Sequence, residues 1–261
     1  MKPFLLIDAD VFAFKAAAGA EKVVCWEDDV CFPMCNISDA IAAWNALLLP
    51  VLEYFDVDIT DCSFCFSTDH NGGFRRQVLP TYKANRDGKP RPVALKYLRE
   101  KLMGGYLPPD TVYIREGLEA DDCLGILSTQ KSYQKGRKKI IVSVDKDMKS
   151  IPGFFFNFGH PEDGIQEITE CDADLWFWKQ TLMGDTTDGY TGCPSIGPKT
   201  AEKILAANPS WEAVAQTYES KGLSEAEAVT QARVARILRA SDYDFKNKKV
   251  ILWRPRDDYE G

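Results

Sequence analysis

Histidine is nearly missing from this chain: among 261 residues there are two, His70 and His160. That scarcity removes the commonest zinc ligand and the usual neutral-pH proton carrier, so metal chemistry here must rest on other donors. Long apolar runs are lacking too. No stretch approaches the roughly 18 apolar residues of a membrane-spanning helix, and Met1-Lys2-Pro3 ahead of Phe4 lacks the form of a secretory leader. The expectation is a cytoplasmic protein without membrane contact. No low-complexity linker and no internal repeat interrupts the chain, and 45% hydrophobic content is enough for a real core in one domain with a lobe attached.

Cysteine is present but not in a pattern that defines a framework. The eight cysteines (Cys25, Cys31, Cys35, Cys62, Cys65, Cys123, Cys171 and Cys193) include several inside apolar strand-like runs, so most are expected as reduced core residues. Cys62 and Cys65 have zinc-like spacing, but no second ligand pair follows at ordinary distance, which disfavours zinc.

What the chain has in excess is carboxylate. Net charge is −7, which argues against a uniformly basic nucleic-acid binder. The distribution is uneven, however. From Arg75 to Lys101 nine basic residues face two acidic ones, a local +7, leaving −14 elsewhere. Nine acids lie at five places that follow an apolar run or open a helical pattern: Asp8; Asp69; Glu119, Asp121 and Asp122; Asp145 and Asp147; Asp185 and Asp188. Any one pair is ordinary among 39 acidic residues. As a set they would repel and raise one another's pKa unless cations compensate, and hard oxygen donors select Mg²⁺ or Mn²⁺. An acidic pocket beside a basic segment suits a polyanion handled by metal ions.

The hydrophobic pattern places these acids. Residues 3–7, 62–66, 111–114 and 139–144 read as buried strands, with shorter strands at 154–158 and 164–168. Helical periodicity covers 38–54, with Ser38 as N-cap, then 119–131, 176–183, 199–207, 211–221 and 225–240. Residues 25–32 suit a small hairpin with an acidic turn, and 249–253 a final strand. Alternating strands and helices imply an α/β fold on a mainly parallel sheet flanked by helices, whose strand ends can gather side chains into one crevice. Glu119 and Asp122, three apart, meet on one helical face with Asp121 to the side. Asp145 and Asp147 share a face if their strand continues.

Two further segments carry chemistry. Gly192-Cys193-Pro194-Ser195-Ile196-Gly197-Pro198-Lys199-Thr200 permits a tight turn into a helix whose free amides, with Lys199, can hold a phosphate. A plain helix-turn-helix connection explains it equally well. Lys83 and Arg86, three apart after Phe74-Arg75-Arg76, would point together from a helical turn and could stabilise charge on a scissile phosphate; a solvated basic turn is the plainer alternative.

Taken together, Ile7-Asp8, the segment from Asp69 through Tyr82-Lys83-Ala84-Asn85-Arg86, Gly117-Leu118-Glu119-Ala120-Asp121-Asp122, Ser143-Val144-Asp145-Lys146-Asp147, Met183-Gly184-Asp185-Thr186-Thr187-Asp188 and the Gly192-to-Lys199 loop resemble, in order, the flap-endonuclease superfamily of 5′ nucleases. The branch they look most like is the 5′-to-3′ exonucleases of short-tailed, T7-like bacteriophages. The resemblance implies a metal-dependent 5′-to-3′ exonuclease with flap-endonuclease activity, cutting duplex DNA at a 5′ end, nick or flap, and RNA-DNA hybrids as a further substrate, in the host cytoplasm. It implies a 5′ nuclease (PIN-like) core over 1–183, with a helical arch at about 75–108. A helical DNA-binding region over 184–261 would hold a helix-three-turn-helix, often with K⁺, and the final strand. By the same resemblance Asp8, Asp69, Glu119 and Asp121 hold one divalent ion with Asp122 in support, and Asp145, Asp147, Asp185 and Asp188 build a second site. Lys83 and Arg86 are its catalytic cations. Phe14, Arg75, Tyr82, Gly192, Ile196, Gly197, Lys199 and Thr200 are its DNA contacts, Phe14 by stacking on a base. The chain departs from the pattern in its Cys193-Pro194-Ser195-Ile196 loop and its short arch.

Two rivals stand beside that reading. Leu5-Leu6-Ile7-Asp8-Ala9-Asp10 with Gly184-Asp185-Thr186-Thr187-Asp188 also resembles a haloacid-dehalogenase-type phosphatase in which Asp8 is the nucleophile. A structure-specific DNA-binding protein without chemistry is the other.

Overall fold

A computed structural model describes residues 2–27, 30–68 and 73–255. Asp69 therefore lies outside the described residues, as does the Asp28-Asp29 turn of the proposed hairpin.

Strand β1 (Phe4–Asp8) is buried at every position and feeds directly into α1 (Ala9–Ala20). A hairpin of β2 (Lys22–Glu27) and β3 (Val30–Met34) follows, then α2 (Ile37–Phe55). The N-cap of α2 is Asn36, two residues ahead of the expected Ser38. Next come β4 (Cys62–Ser67), the short α3 (Gly73–Val78) and α4 (Leu95–Lys101), β5 (Val112–Arg115), α5 (Ala120–Thr129) and β6 (Lys139–Ser143). β7 (Gly153–Asn157) and β8 (Ile165–Ile168) complete the sheet. Helices α6 (Glu170–Met183), α7 (Pro198–Ala207), α8 (Trp211–Glu219) and α9 (Glu225–Ala235) then lead to a two-residue pairing of β9 (Tyr243–Asp244) with β10 (Lys249–Val250). The final strand foreseen at 249–253 is thus shorter and stands apart from the main sheet.

The main sheet has the order β5-β4-β1-β6-β7-β8, parallel throughout except for β8. Alternation along β1 sends Leu5 and Ile7 to one face, where they pack with Phe12 of α1 and Trp44 of α2. Phe4 and Leu6 go to the other, against Leu124 and Leu127 of α5. A third apolar cluster joins α6 to α7, α8 and α9 and takes in Tyr82. Because all the parallel strands end at the same edge, Asp8, the start of α5 and the residues after β6 emerge side by side.

The segment 75–108 is not one continuous helix. α3 is followed by a single 3₁₀ turn at Ala84–Arg86, then α4, whose end runs into a π-turn at Leu102–Tyr106 where Gly105 takes φ 112°. Cys62 and Cys65 fall in different apolar clusters on opposite faces of β4, so their spacing cannot serve one zinc ion. Cys25 and Cys31 face each other across the hairpin and form a disulfide, an exception to the expected reduced state; Cys62, Cys65, Cys123 and Cys193 are free and buried.

Candidate active site

A pocket of about 1010 Å³ opens at the C-terminal edge of the parallel strands. Seven of the nine carboxylates singled out in the sequence line it: Asp8, Glu119, Asp121, Asp145, Asp147, Asp185 and Asp188. Each arrives by a specific local device. Asp8 ends β1 and caps α1, its Oδ1 accepting from the Val11 amide at 3.2 Å and its Oδ2 from Ser143 Oγ at 2.6 Å. Glu119 is the N-cap of α5, and Asp121 sits in that helix's first turn, where negative charge is favoured by the helix dipole. β6 stops at Ser143 instead of continuing, and Asp145 caps the 3₁₀ turn Lys146–Ser150 by accepting from the Asp147 amide at 2.8 Å. Asp185 closes its own loop by accepting from Thr187 and Asp188 amides at 2.6 and 3.2 Å.

The ninth carboxylate is elsewhere. Asp122 is fully buried and binds the Arg75 guanidinium through both oxygens at 2.7 Å, while its Oδ1 also takes the Leu238 amide at 3.1 Å. The remaining Arg75 donors go to the carbonyls of Val234 and Arg236 at 3.0 and 2.6 Å and to Glu119 Oε2 at 3.5 Å. Asp122, expected as a metal ligand, and Arg75, expected as a DNA contact, thus engage each other and these neighbours, tying α3 to α5 and to the end of α9. Tyr82, expected as a DNA contact, is engaged in the same way. Its ring is buried, and its hydroxyl donates to Glu119 Oε2 at 3.0 Å and lies 3.3 Å from Asp188 Oδ2, so it orders the acids. Gly192 and Ile196 are buried as well. Gly192, at φ 63°, abuts Gly184 so closely that an added Cβ would stand 2.2 Å from the Gly184 nitrogen, and its amide is taken by Gln231 Oε1. Those two shape the loop from within. Gly197, the N-cap of α7, with Lys199 and Thr200, is exposed.

Opposing charges ring the acids. Lys83 Nζ lies 2.7 Å from Glu119 Oε1, and the Arg86 guanidinium pairs with Asp188. Lys83 itself adopts φ 54°, so the cations project from a 3₁₀ turn entered through a left-handed residue. Phe14, 49% exposed, forms part of the pocket wall with Lys15, Lys89 and Arg91. Two residues missed in the sequence belong here. Asp10 accepts from the Ser67 amide at 3.0 Å and pairs with Arg99, whose guanidinium also donates to the Ser67 carbonyl at 2.6 Å. Asp10 was visible as the second acid of Asp8-Ala9-Asp10; nothing in the local sequence marks Arg99 as its partner.

Compensation is incomplete. Burial, with a further push from Asp145, lifts Asp8 to about 6 in spite of the Ser143 and Val11 hydrogen bonds. Burial and the Asp145 charge bring Asp147 to about 7. Asp121 is raised well above the ordinary range by burial and then by Asp8 and Asp145. Asp188 is raised by burial against the pull of Lys83 and Arg86, whereas at Glu119 burial is outweighed by Lys83 and Arg75 and the pKa falls. A buried Asp147 Oδ1 has no hydrogen-bond partner among the described residues. Under-neutralised, all-oxygen donors with an orphaned oxygen fit hard divalent cations. The side chains ring the pocket without closing on one point: no three of them form a ready-made ion cage among the described residues.

Comparison with known proteins places this geometry. Residues 3–152 match the family described as 5′-3′ exonuclease, N-terminal resolvase-like domain, a stretch that runs from before Asp8 to beyond Asp147. The chain belongs to this family, and 5′-to-3′ exonuclease is the activity that defines it. It is 28% identical to the exodeoxyribonuclease of Enterobacteria phage T3, over 98% of this chain and 94% of that one, and 28% identical to the exonuclease of Escherichia phage T7, over 97% and 94%. Among solved structures, a phage T5 protein co-crystallised with metal ions superposes with a TM-score of 0.60 at 15% identity, covering 89% of each chain. A phage T5 flap endonuclease in a pseudo-enzyme-product complex with DNA and metal ions gives 0.57 at 14% identity, covering 89% and 93%. The 5′ nuclease fold expected from the sequence is thus observed.

Proposed function

We propose that this exonuclease hydrolyses phosphodiester bonds of DNA at or near a 5′ end, with divalent ions held in the pocket by Asp8, Glu119, Asp121, Asp145, Asp147, Asp185 and Asp188, leaving 5′-phosphate ends. Asp69, which follows β4 in sequence, belongs to the proposed set. The observation that carries the reading is the convergence of seven carboxylates from four segments on one pocket, with Lys83 and Arg86 at its edge. Bound Mg²⁺ or Mn²⁺ would supply positive charge to the scissile phosphate and acidify the attacking water. Lys83 and Arg86 at the pocket's edge would add donors for the charge that develops on the phosphate oxygens. Ser143 and the Val11 amide orient Asp8, and Tyr82 orients Glu119. Phe14 offers an exposed ring on which a terminal base can stack.

Away from the chemistry, Gly197, Lys199 and Thr200 at the start of α7 would hold duplex phosphates, K⁺ completing that loop, so binding should weaken steeply with salt and show little sequence preference. Residues 184–261 serve as the DNA-binding region beside a 1–183 core whose segment 75–108 arches over the pocket. No helix among the described residues is long and apolar enough to cross a membrane, and phage-like relatives support action in the host cytoplasm. The phosphatase rival fares worse, because Asp8 is fully buried with both oxygens hydrogen-bonded.

The test is one Mg²⁺ time course on 5′-labelled blunt, nicked and flapped duplexes, an RNA-DNA hybrid and p-nitrophenyl phosphate. Short 5′-labelled products from DNA are expected, with none under EDTA. Turnover of the small ester alone would overturn the proposal.

A further inference from the structure

The turn that carries Lys83 and Arg86 is fastened to the Asp185–Tyr190 loop and to Glu119 by two separate sets of contacts. The first set involves only backbone acceptors. The Lys83 amide donates to the Asp188 carbonyl at 2.7 Å, Asn85 Nδ2 donates to the Thr186 and Thr187 carbonyls at 2.7 and 3.3 Å, and Arg86 Nε reaches the Thr187 carbonyl at 3.2 Å. Gly189 allows the close approach: an added Cβ would stand 2.9 Å from the Thr81 carbonyl oxygen. The second set is ionic. Lys83 Nζ lies 2.7 Å from Glu119 Oε1 and 3.9 Å from Asp188 Oδ2, and the Arg86 guanidinium pairs with Asp188 Oδ1. Both cations are therefore spent on carboxylates of the pocket itself instead of facing its open space.

We propose that residues 83–86 form a counter-ion latch, in which Lys83 and Arg86 neutralise Glu119 and Asp188 until divalent cations take over those oxygens, an inference that rests on the metal-site reading above. The physical reason is competition for the same lone pairs: a doubly charged ion and an ammonium cannot both sit on Glu119 Oε1, and in a partly buried pocket the higher charge density prevails. Lys83 and Arg86, once displaced, need another anion, and the nearest that the reaction brings is the DNA phosphate. The first set of contacts contains no carboxylate, so Asn85 and the Lys83 amide hold the turn in place while its side chains exchange partners. By linkage, metal ions and DNA then promote each other's binding.

Two measurements on the full chain, both without DNA and without activity, test the latch. In the first, Lys83 is acetylated with an N-hydroxysuccinimide ester during a Mn²⁺ titration and read by mass spectrometry, with binding followed by calorimetry on the same sample. Lys83 labelling should rise several-fold over the range in which Mn²⁺ binds, with exposed Lys135 unchanged. In the second, Lys83→Met should bind Mn²⁺ about three- to tenfold more tightly, the loss of one competing ion pair. Binding of Mn²⁺ with flat or falling Lys83 labelling, or a Lys83→Met protein that binds no more tightly, overturns the latch and leaves the metal site standing. Absence of Mn²⁺ binding to the unaltered chain removes the metal site, and the latch with it.

Discussion

Asp121 and Asp122 are neighbours in the first turn of one helix, yet they serve opposite ends. Asp122 is buried and fully paired: its two oxygens take a guanidinium and the backbone amides of Leu238 and Glu119. Asp121 faces Asp8 and Asp145 in the pocket, its pKa raised by burial and then by both of them. A 100° rotation about the helix axis separates a charge that holds the fold from one that burdens it. The lesson is that buried carboxylates must be sorted by what compensates them, since those left uncompensated by the protein call most strongly for an ion from outside.

The sharpest way to break this comparison is to neutralise each neighbour in turn. Asp121→Asn should lower the single-turnover cleavage rate by about a thousandfold, the scale of removing one electrostatic contributor to a phosphoryl-transfer site, while thermal stability holds or rises. Loss of stability together with activity would place Asp121 with Asp122 among the structural acids. Asp145→Asn should behave as Asp121→Asn does and largely spare DNA binding. On the other side, Arg75→Met leaves Asp122 buried without its partner and should cost about 3–5 kcal/mol in chemical denaturation. A stable Arg75→Met protein with weakened DNA affinity would instead restore the DNA contact that the sequence suggested.

Why the sequence separated some of these roles and not others follows from the range of the interactions. The strands were legible because burial on both faces leaves continuous apolar runs such as Phe4-Leu5-Leu6-Ile7, and the parallel order follows from helices placed between them. The acids at strand ends could be read for the same reason: Asp8 has nowhere else to go. The geometry of Glu119 and Asp122 was also foreseen, since they do share a face and form a capping box. What that face meets was not, because Arg75 lies 47 residues away in sequence and its carbonyl acceptors at 159 and 161. Helical spacing specifies direction, while the partner is set by tertiary packing. The turn at Lys83 escaped for a local reason: φ 54° at a lysine has no compositional signal, and the expected helical spacing gave a 3₁₀ turn instead.

A smaller effect probes the exposed aromatic of the pocket lining. Phe14→Ala removes a ring that is half exposed and outside the apolar core, so folding stability should change by less than about 0.5 kcal/mol. If the ring stacks on a terminal base, DNA affinity should fall by about 1–3 kcal/mol, read as a change in the half-saturating DNA concentration with the saturated rate largely kept. Equal affinity in both proteins would return Phe14 to the status of an incidental surface aromatic.

The smallest expected effect concerns pH, and its sign distinguishes the two kinds of acid without a mutation. Asp8 at about 6 and Asp147 at about 7 hold protons in the folded chain that an unfolded carboxyl, near 3.8, has already released. Between those limits the native state binds more protons than the unfolded one, so stability in EDTA must fall as pH rises from about 4 to 7. An ion-paired acid behaves in reverse: Asp61, lowered by the hydrogen bond from Arg137, contributes stability that is lost as pH falls through its folded pKa. In EDTA the melting temperature should therefore be higher at pH 5.5 than at pH 8, by about 2–4 °C for each kcal/mol of repulsion relieved. Mg²⁺ at pH 8 should close the gap, since the ion does for the pocket acids what Arg75 does permanently for Asp122. A melting temperature that climbs with pH in EDTA would mean that the pocket acids are neutralised from within, and the contrast between Asp121 and Asp122 would lose its physical basis.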